Sequence, residues 1–141
     1  SEGVAEMLRP AVESSGDSLE KVAADFVNAH RGSSIIRRAA SVEEVAESTL
    51  MCLKSAVPAI LPGIVFLSGG QDDESATAHL DAMNRMGPNP WPLTFSYGRA
   101  MQQAALKLWA QDMTGNYAKA QQTVFARAQA NGLAALGQWN D

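Results

Sequence analysis

The chain has 141 residues and a mass of 15.0 kDa, which lies in the range of a single domain. It is 46% hydrophobic and 18% charged, as in folded globular proteins and unlike disordered ones. The formal net charge of −4 provides no basic face for nonspecific binding, so we expect no nucleic-acid partner.

Other classes of protein are excluded by single residue types. Cys52 is the only cysteine, so the chain can form neither an internal disulfide nor a cysteine cage for a metal. His30 and His79 are too scattered to suggest a metal site, and no cofactor is expected. The longest apolar run, 56–67, is interrupted by two prolines and a glycine, so no membrane span is expected. No signal peptide is evident, and we expect a soluble protein of the cytoplasm or of an organelle such as a plastid or mitochondrion, not a secreted one.

Residues 1–40 are predicted to be a helical segment of unknown role. Apolar residues four positions apart predict a helix over 2–13, which Pro10 weakens. A second helix is predicted to start at a cap provided by Asp17 or Ser18 and to stop before the next glycine, at position 32.

The pattern sharpens at Ser41, where we place the start of the second unit, 41–141. Ile35 and Ile36, just before it, are compatible with a short strand or with a buried link, and the sequence does not decide between them. Ser41 with Glu44 three residues later forms a capping-box pattern, which predicts a helix that continues to the next proline.

Strands and helices alternate after this helix. The apolar, β-branched run 63–68 predicts a strand buried on both faces, as in a parallel sheet, and a second strand is predicted over 91–95. Helices are predicted over 72–86, 99–111 and 117–136. This order predicts mostly helical α/β architecture with parallel strands and right-handed crossovers. The apolar side of the last helix is predicted to consist of Ala120, Val124, Phe125 and Ala128.

Both predicted strands end in small residues followed by a helix. Glycines let backbone N–H groups approach an anion closely, and a helix N-terminus adds a favourable dipole. An arginine at the second strand end could bind phosphate through two donors. The pattern therefore favours a phosphate cradle, although plain tight turns would use the same glycines. The candidate site residues are Ser68, Gly69, Gly70, Ser96, Gly98 and Arg99.

Two longer motifs resemble the class I fructose-bisphosphate aldolases. Residues 62–71, Pro-Gly-Ile-Val-Phe-Leu-Ser-Gly-Gly-Gln, are similar to the seventh barrel strand and loop of that family. Residues 92–100, Pro-Leu-Thr-Phe-Ser-Tyr-Gly-Arg-Ala, are similar to the eighth. The likeness runs from Ser41 to Trp139 and implies a partial (β/α)8 barrel, namely strands 7 and 8 with their helices. A complete barrel needs roughly 200 residues or more. The resemblance also implies that the six candidate residues contact a sugar phosphate.

The catalytic part of that family has no counterpart in this chain. Class I aldolases form a Schiff base through a lysine in a Leu-Leu-Lys-Pro-type motif on the sixth strand. The segment most similar to this motif, 7–10, has Arg9 at the lysine position, and arginine cannot form an imine. We therefore assign no catalytic residue and predict that the chain alone is inactive. The lysines, none of which stands in such a motif, are Lys21, Lys54, Lys107 and Lys119.

Two functions remain open on the sequence. The chain is part of, or derived from, an aldolase that cleaves fructose 1,6-bisphosphate to dihydroxyacetone phosphate and glyceraldehyde 3-phosphate. Alternatively, it is a non-catalytic, aldolase-derived structural or interaction subunit of a larger assembly, or a phosphate-binding regulator. Both main interpretations require other protein chains or the rest of a barrel, because two strands leave exposed edges and apolar faces.

Overall fold

The computed structural model describes residues 2–31 and 33–140, with side chains from Met7 onward. Residues 1, 32 and 141, and with them the predicted stop before position 32, lie outside that description. The order of helices and strands agrees with the predicted order, and the chain is mostly helical. The elements are α1 (Glu2–Ser15), α2 (Leu19–His30), α3 (Val42–Ala56), β1 (Ile64–Leu67), α4 (Asp73–Arg85), β2 (Leu93–Ser96), α5 (Arg99–Gln111) and α6 (Tyr117–Ala135).

The first two helices form a pair that packs chiefly on itself. Helix α1 continues through Pro10 to Ser15, so the proline does not end it. Leu8 is its buried residue, whereas α2 buries none. Of the two predicted caps, Ser18 is the one observed: its Oγ accepts a hydrogen bond from the Lys21 backbone N–H at 3.3 Å.

The link between α2 and α3 has no helix or strand in its described residues, 31 and 33–41. Ile35 is 97% exposed and Ile36 is also exposed, so neither of the alternatives considered for them, a strand or a buried link, is observed. The link is held instead by Arg38, whose guanidinium donates to both carboxylate oxygens of Glu44, at 2.8 and 2.5 Å. Glu44 also completes the predicted capping box with Ser41 at the start of α3.

The two strands form one parallel sheet in which Ile64 pairs with Leu93 and Leu67 with Ser96. The predicted burial of the first strand on both faces is wrong. Val65 is 64% exposed and Leu67 is 81% exposed, because the helices cover only the opposite face of the sheet. The apolar run of β1 thus leaves half of its side chains without a packing partner among the described residues.

The core lies on the covered face of the sheet, where α3, α4 and α6 meet the strands. Leu80 of α4, with no exposed surface, is at its centre. Beside it, the buried Thr77 hydroxyl donates to Asn131 Oδ1 at 2.7 Å and joins α4 to α6. The cluster of buried apolar residues comprises Ala46, Leu50, Leu80, Met83, Trp91, Leu93, Phe95 and Ala134.

The predicted apolar side of α6 is buried only in part: Ala120 is half-buried, and the other three predicted residues are exposed. Phe125 is 71% exposed and Ala128 is exposed, whereas Asn131 and Ala134 are buried. The reason is positional, because the buried residues of α6 lie in its C-terminal half and the predicted residues lie earlier in the helix. One of the buried residues, Asn131, is polar, and the Thr77 hydroxyl donates to its carbonyl oxygen.

We expect Leu80→Ala to lower the free energy of unfolding by about 3 kcal/mol, because it leaves a cavity in a fully buried position. Leu106→Ala, at a half-exposed position of α5, is the matched control and should cost less than about 1 kcal/mol. Urea denaturation followed by circular dichroism measures both values. Equal losses in the two variants would show that α4 is not the centre of the core.

A second prediction concerns the carboxyl group that holds the α2–α3 link. The hydrogen bonds from Arg38 lower the pKa of Glu44 to about 2, and the Ser41 N–H adds to the effect. Since the pKa is depressed in the folded state, the stabilisation is fully present above the unfolded pKa of about 4.3 and is lost as the pH falls through about 2. We expect Arg38→Gln to raise the Glu44 pKa, as measured by NMR titration of its carboxyl carbon. Arg37→Gln, at the neighbouring arginine, should leave it unchanged, and a change there instead would contradict the assignment.

Candidate functional site

The carboxyl ends of the two strands meet at one edge of the sheet. Ser68, directly after β1, is buried, and its Oγ donates to the backbone oxygen of Ser96, the last residue of β2, at 3.3 Å. The Ser68 backbone oxygen in turn accepts from the Gln71 N–H at 3.2 Å, which closes a tight turn. Gly70 lies within this turn at φ +84°, a conformation that favours glycine. The two predicted strand ends are therefore joined directly.

A cavity of about 350 Å³ lies at this edge of the sheet. Helix α5 begins beside it at Gly98, and no side chain caps the first turn, so the backbone N–H groups there are not taken up by a capping side chain. The structure thus brings all of the candidate residues to one cavity. Its lining consists of Leu67, Ser68, Gly69, Gly70, Gln71, Ser96, Gly98, Arg99 and Ala100.

Arg99 is the cation of this cavity. Its side chain is exposed and makes no hydrogen bond or ion pair with any residue in the described ranges. It also lines an adjoining cavity of about 570 Å³ together with Lys107. An unpaired guanidinium at a cavity wall is able to bind an oxyanion through two parallel donors.

The acidic start of α4 lines the adjoining cavity on the other side. Asp72 caps the helix, because its carboxylate accepts from the Ser75 N–H at 2.8 Å and from the Ser75 hydroxyl at 2.7 Å. Burial opposes ionisation of Asp72, but these hydrogen bonds outweigh it and lower its pKa. The negative charge of Asp72 is therefore fixed in the helix cap, next to the loop that follows β1.

A buried polar network lies behind the loop, and sequence reasoning did not find it. Arg127 of α6 donates to the backbone oxygen of Asp73 and to the Thr77 hydroxyl, the latter at 2.6 Å. Burial raises the pKa of Tyr97 to about 12, and the nearby positive charge of Arg127 opposes this shift. Arg127 thereby ties the start of α4 to α6. Nothing in the local sequence distinguishes it from an arginine on a solvated helix face.

Lysines and the side chains of His, Cys, Asp and Glu are the groups that could form a second reactive or metal-binding site. Each of the four lysines is exposed, and Lys107 is the one that lines a cavity near the strand ends. Over residues 2–31 and 33–140 no three His, Cys, Asp or Glu side chains are grouped so that they could hold a metal ion. Within the same ranges no helix is both long and apolar enough to cross a membrane.

Comparisons with known proteins agree on one family. The family model for class-I fructose-bisphosphate aldolase matches residues 19–141. A probable fructose-bisphosphate aldolase class 1 of Xanthomonas campestris pv. campestris is 78% identical over 100 residues, which are 71% of this chain and 30% of that protein. Fructose-bisphosphate aldolase 1 of Toxoplasma gondii is 53% identical over 100 residues, 71% of this chain and 27% of that protein.

A solved structure is similar as well. Fructose-bisphosphate aldolase from Plasmodium falciparum, determined in complex with TRAP and a small-molecule inhibitor, superposes with a TM-score of 0.69 at 44% sequence identity. The match covers 73% of this chain and 29% of that one, so the chain spans about 30% of the length of the relatives that it matches. The family match starts at residue 19 and so includes α2, which the sequence motifs did not reach. On these grounds the chain belongs to the class I fructose-bisphosphate aldolase family.

Proposed function

We propose that the strand-end cavity is a sugar-phosphate cradle and that the chain supplies the seventh and eighth strands of an aldolase barrel. The complete assembly would cleave fructose 1,6-bisphosphate to dihydroxyacetone phosphate and glyceraldehyde 3-phosphate. The observation that carries the proposal is the unpaired Arg99 guanidinium at a cavity formed by two strand ends of matching design.

Three kinds of donor in this cavity suit a phosphate monoester. The first is the loop Ser68–Gly69–Gly70, whose glycines leave the backbone accessible. The second is the uncapped N-terminus of α5, where backbone N–H groups and the helix dipole favour an anion. The third is Arg99, which adds a full positive charge in a planar fork. Barrel enzymes commonly bind phosphate at these two strand ends.

The bare face of the sheet supports assembly with further strands. Val65 and Leu67 are the side chains of β1 that point away from the helices, and both are largely exposed. An isolated two-stranded parallel sheet with one apolar face exposed is a strong candidate for covering by other chain segments. The share of the relatives that this chain spans leaves ample length for the remaining strands.

The lysine chemistry has to come from those other segments. A lysine that attacks a carbonyl must lose its proton, which in proteins requires burial or a neighbouring cation. The four lysines here are exposed, and one of them, Lys21, is paired with Asp17 at 2.8 Å. The chain therefore contributes binding to the proposed reaction and does not contribute the nucleophile.

The non-catalytic alternative is favoured by a different observation. Helices α1 and α2 pack chiefly on each other, and α2 buries none of its residues, so this pair is available for a separate interaction. An aldolase-derived segment that carries such a pair would suit a structural subunit. The two functions differ in whether the assembled barrel turns over substrate.

We expect Arg99→Ala to weaken binding of fructose 1,6-bisphosphate by about 10- to 100-fold, the equivalent of one charge-assisted phosphate contact. Titration calorimetry of the full chain measures the dissociation constant. Arg9→Ala removes an exposed arginine from α1, far from the strand ends in sequence, and should leave the constant unchanged. Equal affinity of wild type and Arg99→Ala would remove Arg99 from the site.

We further expect cleavage activity only when the missing strands are supplied. The partner for this test is the Xanthomonas relative truncated before the segment that matches this chain. Triose phosphate release should be absent from either piece and present in the mixture. Val65→Asp on the bare sheet face should abolish triose phosphate release by the mixture, because assembly would bury an unpaired charge. Phe125→Asp, on the exposed side of α6, should leave that release unchanged.

The outcomes of this complementation separate the alternatives. Activity of the chain alone would contradict the requirement for an outside lysine. A stable complex in native mass spectrometry that lacks activity would favour the non-catalytic subunit.

A further inference from the structure

Gln71 occupies a special position beside the strand-end cavity. It follows Gly70 in the loop, and it lines that cavity as well as an inner cavity of about 120 Å³ between α3, α4 and the sheet. Its side-chain oxygen Oε1 lies 2.9 Å from Nδ1 of His79 on α4. The loop side chain is thus held by a contact to the helix behind it.

The contact fixes the roles of both partners. A carbonyl oxygen can only accept, so Nδ1 of His79 carries the proton and donates to Gln71. His79 lies on the wall of the inner cavity with Val45, Phe66 and Phe95. Burial of the ring lowers the pKa of His79, partly offset by Asp72 and Glu43, which keeps the imidazole neutral near neutral pH. The ring can hold Gln71 without placing a charge on the cavity wall.

The same contact leaves one group of Gln71 free. The amide nitrogen Nε2 makes no hydrogen bond within the described ranges, although it is a double donor. Arg99 lines the same cavity, and Asp72 and Asp73 line the adjoining cavity, to which Gln71 and Arg99 also contribute. A neutral donor that lines both cavities would offer an oxyanion a hydrogen bond without adding to the negative charge of these carboxylates.

We propose that Gln71 is a ligand-binding residue that donates from Nε2 to a phosphate oxygen in the strand-end cavity, and that His79 is the residue that positions it. The inference rests on the proposed function, because it assumes that the cavity accepts a phosphate. It adds a side-chain donor from the β1–α4 loop to the backbone groups and to Arg99.

Variants of Gln71 and His79 distinguish hydrogen-bond donation by Gln71 from a role that only supports the loop after β1. Gln71→Glu keeps an oxygen that can accept from His79 but replaces the free donor with an acceptor oxygen and a negative charge. We expect its dissociation constant for inorganic phosphate and for fructose 1,6-bisphosphate to rise about tenfold or more. Titration calorimetry of the full chain measures both constants, and urea denaturation should give the same free energy of unfolding for variant and wild type.

The positioning role of His79 is tested with two substitutions that each introduce a side-chain amide. In His79→Asn the Nδ2 group occupies the place of the histidine Nδ1 and can still donate to Gln71, so affinity should stay within about twofold of wild type. In His79→Gln the amide reaches the place of Nε2 instead, so Gln71 is released and the constant should rise about three- to tenfold. A structural role of the ring alone would affect both variants alike, and that result would overturn the positioning role.

The direct readout is the Gln71 side-chain NH₂ resonance, which should shift when phosphate is added to the wild-type chain. An unshifted resonance, or unchanged affinity in Gln71→Glu while Arg99→Ala binds weakly, would overturn the inference and leave the cradle intact. If Arg99→Ala binds as wild type does, or if the wild type binds no phosphate, the cradle is wrong and the role of Gln71 falls with it.

Discussion

The parallel pairing of β1 with β2 is the constraint on which the rest of the structure depends. Parallel strands in register bring their carboxyl ends to the same edge, and here that edge is fixed by the hydrogen bond from Ser68 to Ser96. An antiparallel pair would have placed the two glycine loops at opposite ends. Because of the pairing, one short cavity receives both loops, the start of α5 and the Arg99 guanidinium.

Helix α4 connects the core to that edge of the sheet. Its inner side carries Leu80 into the core, and Thr77 links it to Asn131 of α6. Its first turn is held by Arg127 and its second by the contact of His79 with Gln71, so the end of the loop that leads into α4 is anchored. The helix thereby supports the cavity from behind, while the other face of the sheet is left bare.

The sequence was informative wherever a signal is local. The capping box at Ser41, the cap at Ser18 and the matching strand ends each lie within a few residues, and the structure contains all three. Burial is a property of the whole fold, so the apolar run around Val65 could not reveal that one face lacks a cover. The link from Arg127 to Asp73 spans 54 residues and joins the middle of α6 to the start of α4. Contacts between residues so far apart in the chain produce no periodic pattern or short motif in the sequence.

Phosphate binding and imine formation make different structural demands on a barrel, and we propose that this chain meets the demands of binding. Oxyanion binding needs backbone N–H groups and a cation close together, and one stretch of two strands with their helices can supply both. Imine formation needs an amine kept unprotonated by its surroundings, which several strands must build together. In the proposed assembly, further strands would surround both the exposed lysines and the uncovered sheet face. This separation is the physical reason that the proposed phosphate cradle can fold in a segment that leaves the nucleophile to the rest of the proposed assembly.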